Sequence, residues 1–149
     1  GCHFEVPAEA ICEALNGYIP SNNRSQLTET KDNHLIVDAY NANPTSMMAA
    51  LENFRLMEVA HKVAILGDMK ELGEGSVDEH RKIVSFLEGC GFERIILVGD
   101  EFGKANSGFE WYKNTDDLKA KISEEKISGK FVLIKGSNSM KLAPLKDIL

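Results

Sequence analysis

The sequence predicts an α/β protein with a Rossmann-like, doubly wound and mostly parallel sheet, to which an antiparallel edge strand or hairpin is added. Four segments, at 34–38, 62–68, 94–100 and 130–136, each consist of a polar residue, a short apolar run and then a polar residue or glycine. Apolar runs without alternation are typical of strands buried on both faces, as in a parallel sheet. The segments recur about every 30 residues, the length of a β-α-β unit, and helical patterns fill the intervals.

The residues before the first apolar run form a different pattern. We predict a short helix over 7–15 and a polar, alternating strand over 24–31. A turn at Asp32-Asn33 would join this strand to the run at 34–38 as a hairpin. One antiparallel strand at the edge of a parallel sheet is a common arrangement.

Two longer helices are predicted between the apolar runs. Pro44 suits the first helical position, and Asn43 suits the N-cap before it because its side chain can accept a bond from a free backbone N–H. The second helix is predicted to begin with a capping box of Ser76 and Glu79. We further expect a short strand at 109–112, a helix from about 114 or 115, and a short helix at about 144–149.

Composition and charge limit the possible classes of protein. The chain has 149 residues, 43% of them hydrophobic and 27% charged, which is typical of one globular domain. The net charge is −6 and no basic run occurs, so nucleic acids and anionic membrane surfaces are not expected partners. The apolar runs are far shorter than the roughly 20 residues that span a bilayer.

The cysteines and the first residues favour a cytoplasmic location. Cys2, Cys12 and Cys90 are odd in number and show no Cys-x-x-Cys spacing, which favours reduced thiols over a disulfide framework or a zinc site. Residues 1–6 lack the basic and apolar regions of a signal peptide.

Polar residues follow each apolar run, and the topology predicts that they meet. In an open parallel sheet, ligands bind beyond the carboxyl ends of the strands. The stretches after the four strands, at 38–43, 67–73, 99–103 and 135–139, are rich in Gly, Asp, Asn and Ser. We therefore expect the ligand site along this one rim of the sheet.

The first stretch contains candidate nucleotide contacts. Asp38 could accept hydrogen bonds from a ribose diol, although its spacing alone favours an aspartate that caps a turn or helix. Tyr40 and Asn41 could contact a base or could simply pack the loop, and the residues alone leave both possibilities open. Asn43 is expected to cap the helix whatever else it does.

The second and fourth stretches contain candidate substrate contacts. Asp68 and Glu71 could bind a cation or an ammonium group, or act as general acid and base, although solvated loop charges are the commoner explanation. His80 is expected to be a half-buried histidine with satisfied hydrogen bonds, and a role at the rim is the second possibility. Lys135, Gly136 and Ser137 would suit a carboxylate or phosphate. The sequence contains no GxxxxGK[ST] motif, so we expect no Walker-type cradle for ATP in this chain.

The motif Asp-Ala-Tyr-Asn-Ala-Asn-Pro at 38–44 resembles a signature of the Mur ligases. Together with Gly-Asp-Met-Lys-Glu-Leu-Gly at 67–73, Arg24 and the Lys-Gly-Ser at 135–137, it is similar in order and spacing to the C-terminal domain of the branch that adds D-alanyl-D-alanine. The resemblance implies that residues 1–20 are the tail of a central ATPase domain and that 21–149 are a Rossmann-like C-terminal domain.

The resemblance also implies a reaction and its participants. ATP would phosphorylate the terminal carboxylate of UDP-MurNAc-tripeptide, and the amine of D-Ala-D-Ala would displace the phosphate to form an amide during peptidoglycan synthesis. ATP and Mg²⁺ would be held mainly by the central domain, so this chain would contain no catalytic residue or metal ligand and would be inactive alone. Its protein partners would be the N-terminal and central domains of the same enzyme.

The site residues implied by the resemblance fall into two sets. Arg24 and Asp38 would contact the ATP ribose or a nearby phosphate, and Tyr40 and Asn41 would border the adenine, with Asn43 in the same loop. The loops at 68–73 and 135–139 would place the dipeptide, with Lys135 or Ser137 near its carboxylate. The residues expected there are Asp68, Met69, Glu71, Leu72, Lys135, Gly136, Ser137 and Ser139.

Two alternatives stay open. A related ligase of the Mur or folylpolyglutamate type would share the fold, although the loop at 67–73 argues against it. A stand-alone Rossmann-like binding or regulatory domain would show the same rhythm of strands and loops. Within that class, a nicotinamide-binding domain is disfavoured because no GxGxxG follows the strand at 34–38.

Overall fold

A computed structural model describes residues 26–30, 33–38, 43–57, 59–69, 72–105, 108–137 and 140–149. The predicted helix at 7–15 and the proposed tail at 1–20 lie outside these residues. Within them the chain forms a six-stranded sheet in the order β1-β2-β6-β3-β4-β5. The strands are β1 (Gln26–Glu29), β2 (His34–Asp38), β3 (Lys62–Gly67), β4 (Arg94–Val98), β5 (Glu110–Tyr112) and β6 (Phe131–Lys135).

Five of these strands are parallel, and the sixth confirms the predicted antiparallel edge. β2, β6, β3, β4 and β5 pair in parallel, whereas β1 pairs antiparallel with β2 through the register Gln26 to Val37. Both faces of the strands are covered, as the uninterrupted apolar runs predict. All five residues of β6, the central strand between β2 and β3, are buried.

Helices cover both faces of the sheet, so the predicted doubly wound architecture is confirmed. They are α1 (Pro44–Leu56), α2 (Ser76–Glu88), α3 (Asp100–Ala105) and α4 (Thr115–Glu124), with 3₁₀ turns at Gly73–Gly75 and Ala143–Asp147. One core packs α1, α2 and α3 against side chains such as Ile36 and Leu133. The other packs α4 and the C-terminal turn against side chains such as Leu35 and Ile134.

The start of α1 follows the prediction in detail. The Asn43 side-chain oxygen accepts from the Ser46 backbone N–H at 2.8 Å, and the Ser46 hydroxyl oxygen accepts from the Asn43 N–H at 3.1 Å. Pro44 occupies the first turn, where its missing N–H needs no partner. Asn114 caps α4 in a similar way by accepting from the Asp117 N–H at 2.8 Å.

Two helical predictions need correction. The capping box of Ser76 and Glu79 is wrong, because the 3₁₀ turn at 73–75 runs directly into α2 and gives Ser76 helical angles, φ −56° and ψ −51°. A capping serine needs an extended backbone, and Glu79 instead pairs with Lys82 at 3.0 Å. The C-terminal helix is a 3₁₀ turn at Ala143–Asp147. In addition, α3 is not among the predicted helices.

No helix in the described part of the chain is long and apolar enough to cross a membrane.

Candidate functional site

The carboxyl ends of the parallel strands form one rim, as the topology predicts. Asp38 at the end of β2 lies in register with Lys135 at the end of β6, and Lys135 lies in register with Leu66 of β3. Gly67 of β3 is paired with Val98 of β4. The described parts of all four polar stretches therefore come together at neighbouring strand ends.

Several of the predicted nucleotide contacts have no described side chain. Arg24, Tyr40 and Asn41 lie outside the described residues, as do Glu71 and Ser139 of the predicted substrate set. For Asp38 the backbone alone is described, at the last position of β2. Their functional roles stay predictions.

Asn43 is present at the same rim as a helix cap. Its side-chain oxygen is engaged by the Ser46 N–H, and its carbonyl accepts from the Met47 N–H at 2.8 Å. The first bond satisfies one of the free donors in the first turn of α1, and the second is the first regular backbone bond of the helix. The cap therefore explains Asn43 without a ligand.

Asp68 is not the solvated loop charge that the residue pattern favours. Its side chain is 0% exposed. One carboxylate oxygen, Oδ2, accepts from the Glu101 backbone N–H at 3.1 Å, and the other, Oδ1, accepts from the Phe102 N–H at 3.0 Å. Asp68 thus caps the first turn of α3 from across the rim, which favours a negative charge there.

His80 is fully buried rather than half-buried, and both ring nitrogens have partners. Nδ1 donates to the Ser76 carbonyl at 2.6 Å, and Nε2 accepts from the Met69 backbone N–H at 3.0 Å. These roles require the neutral ring with its proton on Nδ1. The ring also meets Phe102 edge-on, with centroids 4.6 Å apart.

Met69 and Leu72 face inward from the same loop. Met69 is buried in the core beside α2, and Leu72 packs against that core while partly exposed. The loop at 68–72 is therefore held by apolar contacts at both described ends.

The stretch after β6 is also more enclosed than a surface loop. Lys135 is 1% exposed and Ser137 is buried, with the Ser137 N–H donating to the Asp68 carbonyl at 3.2 Å. At Gly136 a Cβ would lie 2.7 Å from Leu142 Cδ1 and 3.0 Å from Gly67 Cα. Because Gly136 has no side chain, β6 can approach β3 and the segment at 140–142 closely.

The rim also includes a residue that the sequence reasoning did not select. The indole N–H of Trp111 donates to the Gly99 carbonyl at 2.7 Å, and a Cβ at Gly103 would overlap its ring at 2.7 Å. The residue is 40% exposed beside the end of β4. Its status as the sole tryptophan was an available signal, but nothing in the sequence indicates which strand end it covers.

Comparison with known proteins identifies the domain. The family model for the Mur ligase, glutamate ligase domain, matches residues 23–138. A curated relative from Treponema pallidum, UDP-N-acetylmuramoyl-tripeptide–D-alanyl-D-alanine ligase, is 30% identical over 97% of this chain and 33% of its own length. The chain thus spans about a third of the length of that relative.

Solved structures of Mur ligases are also similar to this chain. Crystal structure I of MurF from Acinetobacter baumannii is 27% identical, with a TM-score of 0.72 over 95% of this chain and 33% of that one. The MurF ligase from Thermotoga maritima, crystallised in complex with ADP, shares the fold at 22% identity, with a TM-score of 0.71 over 88% of this chain and 30% of that one. Given a family match over most of its length, the chain belongs to the Mur ligase family, as its glutamate ligase domain.

Proposed function

We propose that this chain is the C-terminal domain of a UDP-N-acetylmuramoyl-tripeptide–D-alanyl-D-alanine ligase of peptidoglycan synthesis. The observation that carries the proposal is the convergence of two specific motifs. The stretches at 38–44 and 67–73 leave β2 and β3, which lie on either side of β6, and so face one rim. The name of the relative from Treponema pallidum supports the same substrate class. Residues 21–149 would form the domain, and 1–20 would be the tail of the central one.

The proposed reaction is amide formation driven by ATP. The terminal carboxylate of the tripeptide is phosphorylated, and the amine of D-Ala-D-Ala attacks the resulting acyl phosphate. The tetrahedral intermediate then collapses with loss of phosphate. The contribution of this chain is to close its rim over the reactants, which orients the dipeptide and keeps water from the acyl phosphate.

The rim fits the ribose and base of a nucleotide better than its triphosphate. The α1 terminus offers few donors to a phosphate, because Pro44 has no backbone N–H and the Ser46 N–H already bonds to the Asn43 side chain. We therefore assign Asp38 to the ribose and Tyr40 and Asn41 to the base, with Arg24 at the ribose or a phosphate. Because the sequence lacks a Walker motif, the triphosphate and Mg²⁺ would be held by the central domain. The ADP bound to the relative from Thermotoga maritima supports nucleotide use in this fold.

The two loops proposed for the dipeptide have buried bases. Asp68, Met69 and Lys135 are covered by protein, so they support the loops from behind. Direct contact with the dipeptide falls to Glu71 and Leu72 in one loop and to Ser139 in the other, with Ser137 and Gly136 at the base of the second. The dipeptide carboxylate would lie on the side of Lys135 and Ser137.

The test is steady-state kinetics of the full-length ligase with Asp38→Ala. Loss of a hydrogen bond to a charged group should raise the KM for ATP about tenfold while changing the KM for D-Ala-D-Ala much less. Asp116→Ala is the control, because Asp116 is an exposed residue in the first turn of α4. A larger rise in the dipeptide KM would remove Asp38 from the nucleotide site. Tripeptide-dependent ATP hydrolysis by the 149-residue chain alone would contradict the proposed division of labour.

A further inference from the structure

We infer that Asp68 and His80 are positioning residues that set where both dipeptide loops leave the sheet. The inference rests on the proposed function for the identity of the ligand, but it comes from the hydrogen bonds of these two buried side chains. Both are 0% exposed, so neither side chain is accessible to a ligand in this structure. Their effect on binding would pass through the backbone of the loops.

Asp68 connects three strand ends through four groups. Its backbone N–H donates to the Val98 carbonyl of β4 at 3.1 Å, and its carbonyl accepts from the Ser137 N–H after β6 at 3.2 Å. Its two carboxylate oxygens bind the Glu101 and Phe102 N–H groups of α3. One residue after β3 thereby fixes the exits of β4 and β6 as well.

His80 performs the corresponding task for the next residue of the loop. From α2, its Nε2 accepts the Met69 N–H, and its Nδ1 is oriented by the Ser76 carbonyl. Nε2 also lies 3.9 Å from Asp68 Oδ1. The first two residues of the loop at 68–72 are therefore held from separate parts of the fold, Asp68 by backbone groups after β4 and β6 and Met69 by the side chain of His80.

The surrounding backbone leaves space for this arrangement. Gly99 has φ +115°, and a Cβ on it would overlap the Asp68 carboxyl group. On the other side, Gly67 and Gly136 approach each other closely beneath Leu142. Larger residues at these positions would displace the carboxylate or separate β3 from β6. Three glycines of the rim are thus explained by the position of Asp68 and its neighbouring strand.

The loops proposed to meet the dipeptide begin directly beyond these anchors. Met69 precedes residues 70–72, and Ser137 precedes residues 138–139. A shift of either anchor changes the direction in which its loop leaves the rim. Misplacement of about 1 Å at a binding group can cost a large factor in rate, so the anchors should influence dipeptide binding without contacting it.

A matched pair of substitutions at His80 tests this in the full-length ligase. The amide oxygen of His80→Gln can replace Nε2 as the acceptor for Met69, whereas the amide of His80→Asn can replace only the Nδ1 donor to Ser76. We expect His80→Asn to raise the KM for D-Ala-D-Ala about tenfold relative to His80→Gln, with similar KM values for ATP. The control is Ile122→Ala, because Ile122 lies in the core on the opposite face of the sheet. It should lower the melting temperature without raising the KM for D-Ala-D-Ala relative to the KM for ATP.

Equal dipeptide KM values for the two His80 variants would overturn the inference. If the wild-type enzyme does not use D-Ala-D-Ala, the proposed function is refuted, and the kinetic test no longer applies. A second measurement tests the positioning role without that substrate. In this 149-residue chain, Asp68→Asn should lower the hydrogen-exchange protection of the Glu101 or Phe102 amide at least about tenfold, and should also lower it at Met69 and Ser137. Loss confined to α3 would show that Asp68 is a helix cap alone.

Discussion

At the scale of single residues, Gly99 makes the position of Asp68 possible. Its φ of +115° lies in a region that side chains disfavour, and the Asp68 carboxyl group fills the space where a Cβ would lie. Gly108 has nearly the same φ, +119°, but no atom lies within 4 Å of its would-be Cβ. The two glycines therefore separate the effect of backbone strain from that of steric overlap.

We expect Gly108→Ala to lower the free energy of unfolding by about 1–3 kcal/mol, the usual cost of such a backbone conformation. Gly99→Ala should cost about 2 kcal/mol more, because the carboxylate must also move. Urea unfolding of this chain, followed by circular dichroism, measures both. Equal losses for the two variants would show that Asp68 is not confined by Gly99.

Tyr112 provides a prediction about pH. Burial, and then the hydrogen bond that its hydroxyl donates to Glu110 at 2.7 Å, raise the pKa of Tyr112 to about 12. Glu110 is itself held by two bonds from Arg94, at 2.8 and 3.0 Å. Because the pKa is raised in the folded state, the stabilisation is complete below the ordinary value of 10.0 and is lost as the pH rises through about 12.

Comparison with Tyr112→Phe isolates this contribution. The difference in unfolding free energy between wild type and variant should be constant at neutral pH and should shrink above pH 10. In an absorbance titration, the phenolate signal that the variant lacks should have its midpoint near pH 12. If the phenolate signal that is present in the wild type and absent from Tyr112→Phe has its midpoint near pH 10, the bond to Glu110 is not formed.

Residue roles were predictable where the chemistry is local and were missed where it is not. Asn43 and Ser46 are three positions apart, so the cap at α1 can be inferred from the sequence. The partners of Asp68 are the amides of Glu101 and Phe102, more than thirty positions later. A polar loop pattern contains no information about such a contact, and it therefore favours the wrong, solvated interpretation.

At the scale of elements, two asparagine caps can be compared. Asn43 and Asn114 each accept from a backbone N–H three residues later, at 2.8 Å. Asn43→Ala and Asn114→Ala should each lower the unfolding free energy by about 1 kcal/mol, whereas Asn43→Ser should retain most of the cap. Urea unfolding measures these values. A much smaller loss for Asn43→Ala would indicate that Asn43 is selected for something other than the cap.

The helices and strands, like the residue roles, divide into those that the local sequence predicts and those that depend on distant contacts. Long helices with apolar stripes and buried strands were predictable because their periodicity is strong. α3 has only six residues and contains Gly103, so its helical propensity is weak. It is held instead by Asp68 at its start and by the ring of Trp111 against Gly103. Such an element depends on tertiary contacts that the local sequence does not contain.

At the scale of the whole molecule, the fold class followed from the sequence but the strand order did not. The repeating pattern of strands and helices predicts a parallel sheet with a ligand rim, and both are present. Nothing in the apolar runs indicates that the last strand lies between β2 and β3, since all four runs have similar composition. The close approach of β3 and β6 at Gly67 and Gly136 is a tertiary contact of the kind that the local sequence does not reveal.

The central position of β6 has a consequence for the newly made chain. β2 and β3 have no direct pairing and are joined only through residues 131–135, so the sheet cannot close until almost the whole sequence has been synthesised. At roughly 5–20 residues per second, β2 waits several seconds for its partner on the ribosome. During that interval two apolar strand edges lack their neighbour, which makes this a period in which chaperones would protect the chain from aggregation.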